Sequence, residues 1–215
     1  MSKPISWYAK KYVSEFDLHL VPIEPKRKNP RSKNWGSNTI TDPVIAEAFY
    51  TSKSDWNMGV ALGPSNLCSL DIDCMRSFSL ICEAFGIDLD ELIEQTPTIV
   101  GRPEGRRLMF RVPAGIDLPY RKLIWRPEND PDGSIRSELT HRAAEAKRNG
   151  DVELESQLRE EARLYSSYAV FELRSATDGS QKQDVFPPSI HPDTGEPYKW
   201  LTQPRKDWPE PPKWL

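Results

Sequence analysis

Apolar positions along the chain recur with two periods, and the alternation between them divides it into helices and strands. Near the start, Tyr8, Tyr12 and Phe16 follow helical spacing across Ser6 to Glu15, and Leu18 to Ile23 reads as a short strand bounded by prolines. Thr41-Asp42-Pro43 predicts a helix start, with proline at the first helical position and Val44, Ala48 and Phe49 following. Two strands, Met58 to Leu62 and Leu67 to Asp73, are joined by the turn-forming Gly63-Pro64-Ser65-Asn66. Phe78, Ile81, Cys82 and Phe85 predict a helix that Gly86 ends. Strands are expected near Thr98 to Val100, Arg106 to Val112 and Leu123 to Arg126.

Ser134 to Tyr168 has a different texture. Ala, Glu, Arg and Leu dominate it, Leu154, Leu158, Ala162 and Tyr165 mark one helical face, and Asn149-Gly150-Asp151 supplies a C-cap followed by an N-cap. A helical hairpin inserted between strands, over residues 134–168, is the expectation. Tyr168 to Arg174 returns to extended character, and a turn-rich strand pair around Ser189 to Trp200 follows. Pro204, Pro209, Pro211 and Pro212 mark residues 201–215 as a linker, as though the sequence had been cut from a longer polypeptide. One domain over residues 1–200 is therefore expected, of α/β or α+β class.

Strand parity sorts side chains into a buried and a presented set. On Leu67 to Asp73, Cys68, Leu70 and Ile72 take one side and Ser69, Asp71 and Asp73 the other. The two aspartates would lie about 6.6 Å apart between Cα atoms. On Arg106 to Val112, Arg107, Met109 and Arg111 are presented opposite Leu108, Phe110 and Val112. On Ala169 to Arg174, Glu172 and Arg174 share the side opposite Phe171 and Leu173. If the three strands are neighbours, one surface carries Asp71, Asp73, Glu172, Arg107 and Arg174. Anions so placed would repel by several kcal/mol without a counterion, and a divalent cation removes the conflict. Hard oxygen ligands suit Mg²⁺ or Mn²⁺, and arginines fork onto phosphate oxygens. Asp178 and Asp184 are rival third acids, but neither shares a clear strand with apolar partners. Ser189 and His191, behind the stiff Pro187-Pro188, are placed to meet a phosphate or sugar; His19 and His141 read as structural.

The 215 residues carry 29 Lys+Arg against 32 Asp+Glu, so net charge alone does not mark a nucleic-acid binder. The distribution does more: Lys26, Arg27, Lys28, Arg31 and Lys33 cluster, as do Arg102, Arg106, Arg107, Arg111, Arg121, Lys122 and Arg126. Cys68, Cys74 and Cys82 form neither a disulfide framework nor a usual zinc spacing, so zinc is not expected. No apolar run reaches the about 20 residues of a bilayer span, and the N-terminus lacks a secretion signal, so a cytoplasmic location is expected.

The stretches "WNMGVALGPSNLCSLDID", "PTIVGRPEGRRLMFRVP" and "FELR" followed by "VFPPSIHPDTGEPYKW" together resemble the bifunctional primase-polymerase (prim-pol) domains of the archaeo-eukaryotic primase superfamily, found in phage and plasmid replicases. The resemblance implies an α+β catalytic core, with an α/β-like N-terminal part and an RRM-like strand-rich part, interrupted by the helical insertion. It places Asp71, Asp73 and Glu172 as catalytic residues on the family's metal-binding acids. Arg107, Arg174, Ser189 and His191 fall at nucleotide-binding positions, and Lys28-Asn29-Pro30 on its N-terminal Lys-x-Pro. Arg107 stands where the family usually has histidine, which puts any acid–base role there in doubt.

The activity implied is primer synthesis and extension by two-metal nucleotidyl transfer, with Mg²⁺ or Mn²⁺ as cofactor. Implied partners are single-stranded DNA template, primer and NTP or dNTP, with a helicase domain or other replisome component in a longer polypeptide. The expected setting is the cytoplasm of a bacterial cell or phage-infected host. Trp35, Trp125 and Trp200, with the Lys26 to Lys33 stretch, are candidate template contacts. A metal-dependent phosphodiesterase or nuclease, and a non-catalytic DNA-binding module, are the competing readings.

Overall fold

The computed structural model describes residues 3–215. These divide into a larger unit, residues 3–121 with Phe171–Leu215, and a smaller one, Lys122–Val170.

The larger unit begins with α1 (Ile5–Phe16), whose buried Ala9, Tyr12, Val13 and Phe16 recur at the 3-, 4- and 7-residue spacings that put side chains on one helical face. Asp17, in left-handed conformation, ends it by donating its backbone N–H to the carbonyls of Tyr12 and Val13. Strand β1 (Leu20–Ile23) follows, then a single 3₁₀ turn at Trp35–Ser37 and α2 (Pro43–Ser52). The α2 start is as the sequence predicts. Asp42 caps it by accepting from the N–H groups of Val44 at 2.7 Å and Ile45 at 3.0 Å, with Pro43 at the first helical position.

Strands β2 (Asn57–Ala61) and β3 (Leu67–Ile72) come next, followed by α3 (Met75–Ala84) and α4 (Leu89–Gln95). The sequence reading passed over α4, although Asp88 caps it from the N–H of Glu91 and Asp90 and Glu91 line its first turn. β4 (Thr98–Val100) and β5 (Arg106–Arg111) lead toward the smaller unit, and β7 (Tyr168–Arg174) returns from it. β8 (Gln183–Val185) and β9 (Lys199–Thr202) close the chain.

These strands form two antiparallel sheets. One has the order β1-β2-β8, and in the other β7, β3, β5, β4 and β9 lie side by side. Behind β3, Phe78 of α3 meets Phe171 of β7 with ring centroids 5.4 Å apart. The opposite face is the one parity marks as presented, yet Met109 on it is fully buried in the main core. The cause is that β2 and β8 cover this face: Met58, Val60, Ala61 and Val185 belong to the same cluster. The chemical surface is therefore roofed, and its charged groups sit between two sheets.

The C-terminal residues correct the expectation of a linker over residues 201–215. β9 extends to Thr202, Trp208 is 6% exposed and packs edge-on against Phe16 at 5.9 Å, and the carbonyl of Pro209 accepts from Arg111 N–H at 2.8 Å. Prolines prevent regular structure there without preventing docking.

In the smaller unit, β6 (Arg121–Trp125) lies beside β7 in sheet order. α5 (Ser134–Arg148) and α6 (Val152–Arg163) form a helical hairpin around buried Leu139, Ala143, Leu158 and Ala162. Asn149 and Asp151 take the cap positions, and Gly150 has φ 77° between them. Among the described residues no helix is long and apolar enough to cross a membrane.

Candidate active site

β3 is flanked by β5 and β7, and the register places Asp71 opposite Arg107 on one side and opposite Glu172 on the other. Directly paired residues of antiparallel strands project to the same face, so three distant segments deliver two acids and a cation to one spot. Arg174 joins them two residues beyond Glu172, opposite Ser69. Asp73 lies just past the end of β3 rather than within it. The N-cap of α3 is Cys74, whose side chain makes no capping bond.

Each acid carries an arginine. Arg107 Nη2 donates to Asp71 Oδ2 at 2.7 Å, Arg102 Nη2 to Asp73 Oδ1 at 2.5 Å, and Arg174 Nη1 to Glu172 Oε2 at 3.4 Å. These pairs interleave the sheet's own cations with the acids expected to hold a divalent ion. Among the described residues no three His, Cys, Asp or Glu side chains converge as a metal-binding group. Asp71, Asp73 and Glu172 share the region without closing into a cage.

Asp71, Asp73, Arg102, Arg107, Arg174, Lys28, His191 and Tyr198 line a cavity of about 260 Å³. Its arginine is deeply held. Burial by itself would make Arg107 easier to deprotonate, but Asp184 and Asp71 outweigh it and push its pKa above the ordinary arginine value. Lys28, the first residue of the Lys-x-Pro segment, pairs at the rim with Asp193 at 2.8 Å.

His191 is 4% exposed, and its ring lies 5.2 Å from that of Tyr198. Its Nδ1 faces the backbone N–H groups of Asp193 at 3.2 Å and Thr194 at 3.4 Å, which assigns the ring proton to Nε2. Burial, reinforced by Lys28, lowers its pKa below the usual histidine value, which favours the neutral ring. Burial also pushes the Tyr198 phenol up to about 12.

Ser189, expected at a nucleotide-binding position, has its hydroxyl engaged by the fold. It is 1% exposed, and its hydroxyl accepts from Met58 N–H at 2.8 Å and lies 3.2 Å from Met58 carbonyl, to which it donates. Both bonds fasten the Pro-Pro-Ser segment to β2, so the side chain braces the site from behind instead of facing the cavity. Trp200 is also spent internally: its Nε1 donates to Tyr12 Oη at 2.6 Å, and its ring packs edge-on against Phe186 at 5.3 Å. Trp125, by contrast, is 45% exposed and stacks on Tyr168 with centroids 5.2 Å apart and planes 20° from parallel.

The sequence reading missed two supporting residues. Asn57 is 1% exposed; its Nδ2 donates to the carbonyls of Arg27 and Ile190, and its Oδ1 accepts from Ile190 N–H. It thereby latches the basic loop to the Ser-x-His segment. Asp184, set aside for want of a clear strand, is 1% exposed on the three-residue β8 and lies against both Arg107 and Arg174. A strand this short leaves no periodicity to read. The signal available was only an acid followed by Val185 and Phe186. Asp178 is exposed and binds the N–H of Ser180 in its own turn.

No curated protein sequence matches the chain. The family model described as "Bifunctional DNA primase/polymerase, N-terminal" matches residues 9–214, nearly the whole chain. The chain therefore belongs to that family, a class of DNA primase/polymerase nucleotidyltransferases acting on DNA and nucleotides.

Proposed function

We propose that this chain makes and extends primers by template-directed nucleotidyl transfer, joining NTPs or dNTPs on single-stranded DNA as part of a phage- or plasmid-type replicase, at the cavity over β5, β3 and β7. The observation that carries the reading is the cross-strand row Arg107–Asp71–Glu172, which sets two acids and an arginine side by side at one end of a roofed sheet. Transfer of this kind is mainly positioning and charge stabilisation.

Asp71, Asp73 and Glu172 would hold Mg²⁺ or Mn²⁺. The fit rests on donor chemistry: three carboxylates of adjoining segments offer hard oxygens, and Asp71 and Asp73 line the cavity. Two such ions, when bound, activate a 3′-hydroxyl and neutralise the departing pyrophosphate. Arg107 and Arg174 bind the triphosphate through guanidinium edges, and His191 adds a neutral N–H donor from Nε2. A neutral donor suits an oxygen that is already being neutralised, since it orients without adding a titrating charge. The basic loop around Lys28 and the exposed Trp125 face are assigned to template backbone and bases.

The test is a primer-synthesis and extension assay on single-stranded templates with labelled NTPs or dNTPs and Mg²⁺ or Mn²⁺. Product longer than any input, lost in Asp71→Ala and Glu172→Ala, supports the reading. Shortened strands would replace it with phosphodiester cleavage, and DNA binding without turnover would replace it with a non-catalytic role.

A further inference from the structure

Asp184 is the most enclosed carboxylate near the cavity and belongs to none of the roles above. It stands on β8, in the sheet that roofs the chemical face, and reaches across to β3, β5 and β7 at once. Its Oδ2 accepts from Ser69 Oγ of β3 at 2.5 Å. Its Oδ1 lies 3.6 Å from Arg107 Nε of β5 and 3.0 Å from Arg174 Nε of β7. Its neighbours Gln183 and Val185 line the cavity, whereas Asp184 itself does not.

The two arginines meet Asp184 by the same edge as ion pairs and not as closed hydrogen bonds, since Arg107 Nε, Arg174 Nε and Asp184 Oδ1 are all buried without a hydrogen-bond partner among the described residues. Each turns Nε to the buried carboxylate and carries its terminal nitrogens elsewhere: Arg107 Nη2 to Asp71, Arg174 Nη1 to Glu172 and Arg174 Nη2 to the Gln183 carbonyl at 3.0 Å. A guanidinium is a rigid planar fork, so a buried charge that draws its Nε edge inward turns the terminal nitrogens the other way. Two guanidiniums converging on one buried oxygen would otherwise repel, and the intervening carboxylate makes their proximity tolerable. Asp184 is thus hidden from ligand yet in contact with both side chains that would grip one.

We infer that Asp184 is a positioning residue that clamps Arg107 and Arg174 by their Nε edges and leaves their terminal nitrogens to exchange the carboxylates of Asp71 and Glu172 for the β- and γ-phosphates of a nucleoside triphosphate. This rests on the proposed nucleotide site and deepens it. It makes Asp184 a determinant of selectivity for triphosphate over monophosphate without touching either. It also links the two halves of the site: arginine nitrogens that move to phosphate vacate the acid oxygens that a divalent ion needs, so each ligand favours the other.

The experiment measures equilibrium affinity of wild type, Asp184→Asn, Ser69→Ala and the Arg107→Gln/Arg174→Gln pair, with and without Asp184→Asn, for dTTP and dTMP in Mn²⁺. Thermal melting of each variant is followed in parallel. Asp184→Asn should weaken dTTP by about 10- to 100-fold and dTMP by less than about threefold. In the double-arginine background it should change dTTP affinity no further. If Asp184→Asn does not fold, Ser69→Ala, which removes one bond to the same carboxylate, should lower dTTP affinity and the dTTP/dTMP ratio in the same direction.

A folded Asp184→Asn with wild-type dTTP affinity overturns the inference, as does an equal loss for dTTP and dTMP or an undiminished loss in the double-arginine background. Wild type that binds no triphosphate overturns it too. Wild type that binds dTTP with the expected Asp184 dependence but never extends a primer refutes the proposed activity and leaves this inference standing.

Discussion

Gly101 offers the sharpest steric test of the site. It follows β4 and lines the cavity beneath Tyr198 and His191. A Cβ added there would overlap Tyr198 Cε1 and lie 2.6 Å from Cδ1 and 3.2 Å from His191 Cδ2. Carbon atoms attract best at about 3.5–4.0 Å, so the Tyr198 ring must retreat by roughly 1 Å or more. It has little freedom to do so: Tyr198 is 6% exposed, and its backbone N–H donates to the Ser189 carbonyl at 2.8 Å. Overpacking of this kind costs about 1–3 kcal/mol. In a chain of this size that is a fall in Tm of about 2–12 °C. Because the ring leans on His191, displacement of the cavity wall should also reduce nucleotide incorporation by as much as about 100-fold. Differential scanning fluorimetry and primer extension measure the two effects for Gly101→Ala. The same change in a Tyr198→Ala background should cost almost nothing, since the obstructing ring is gone. An unchanged Tm, or an equal loss in both backgrounds, refutes the packing argument.

Asp71→Asn and Glu172→Gln should each abolish incorporation in the extension assay, whereas Asp178→Asn, in an exposed turn, should leave it within about twofold of wild type; equal sensitivity of all three would mean the acids are misassigned. Asn57→Ala removes one side chain that serves three backbone groups, and should lower stability by about 2–4 kcal/mol in urea titrations, with the loop around Lys28 becoming open to proteolysis. His191 has a pKa lowered on folding, so its contribution is present above the ordinary histidine value and is lost as pH falls toward the lowered one. Wild type should therefore lose more stability than His191→Gln between about pH 7.5 and pH 5.5, and parallel curves in chemical denaturation would show that the ring is not excluded from protonation. Trp125→Ala should weaken single-stranded DNA by about 1–3 kcal/mol in fluorescence anisotropy, with Trp200→Phe serving as the buried comparison.

Much of the fold was written in local periodicity because its long elements are amphipathic. The α1 face, the Asp42-Pro43 start of α2 and the alternation along β3, β5 and β7 all describe how a side chain meets its own backbone and one neighbouring layer. Pairing Asp71 with Glu172 required one further assumption, that β7 returns beside β3, and the register satisfies it. Met109 shows where parity stops. Alternation separates two faces but cannot say that both are covered, because the roof over Met109 comes from β2 and β8, distant in sequence. Ser189 illustrates the same limit: its motif position reveals a constrained hydroxyl, while its bonds to Met58 decide which way that hydroxyl turns. Asp184 and Trp208 were obscured for the opposite reason. Each sits in a stretch too short or too proline-rich for a period, and gains its place from partners far along the chain.

The interleaving of acids and arginines has a consequence that either set alone would not produce. Carboxylates crowded on a sheet without cations would raise one another's pKa and partly protonate, and a protonated acid is a poor ligand for a hard ion. Arginines alone would bind phosphate but also repel the divalent ion that accompanies it. With Arg107 on Asp71, Arg102 on Asp73 and Arg174 on Glu172, each acid of the row has a cation beside it. In the proposed function, binding would proceed by exchange of partners, with few charges left uncompensated at any stage. The buried Asp184 is what makes such exchange orderly, because Arg107 and Arg174 can release their cavity-facing acids while each keeps one anion at its back.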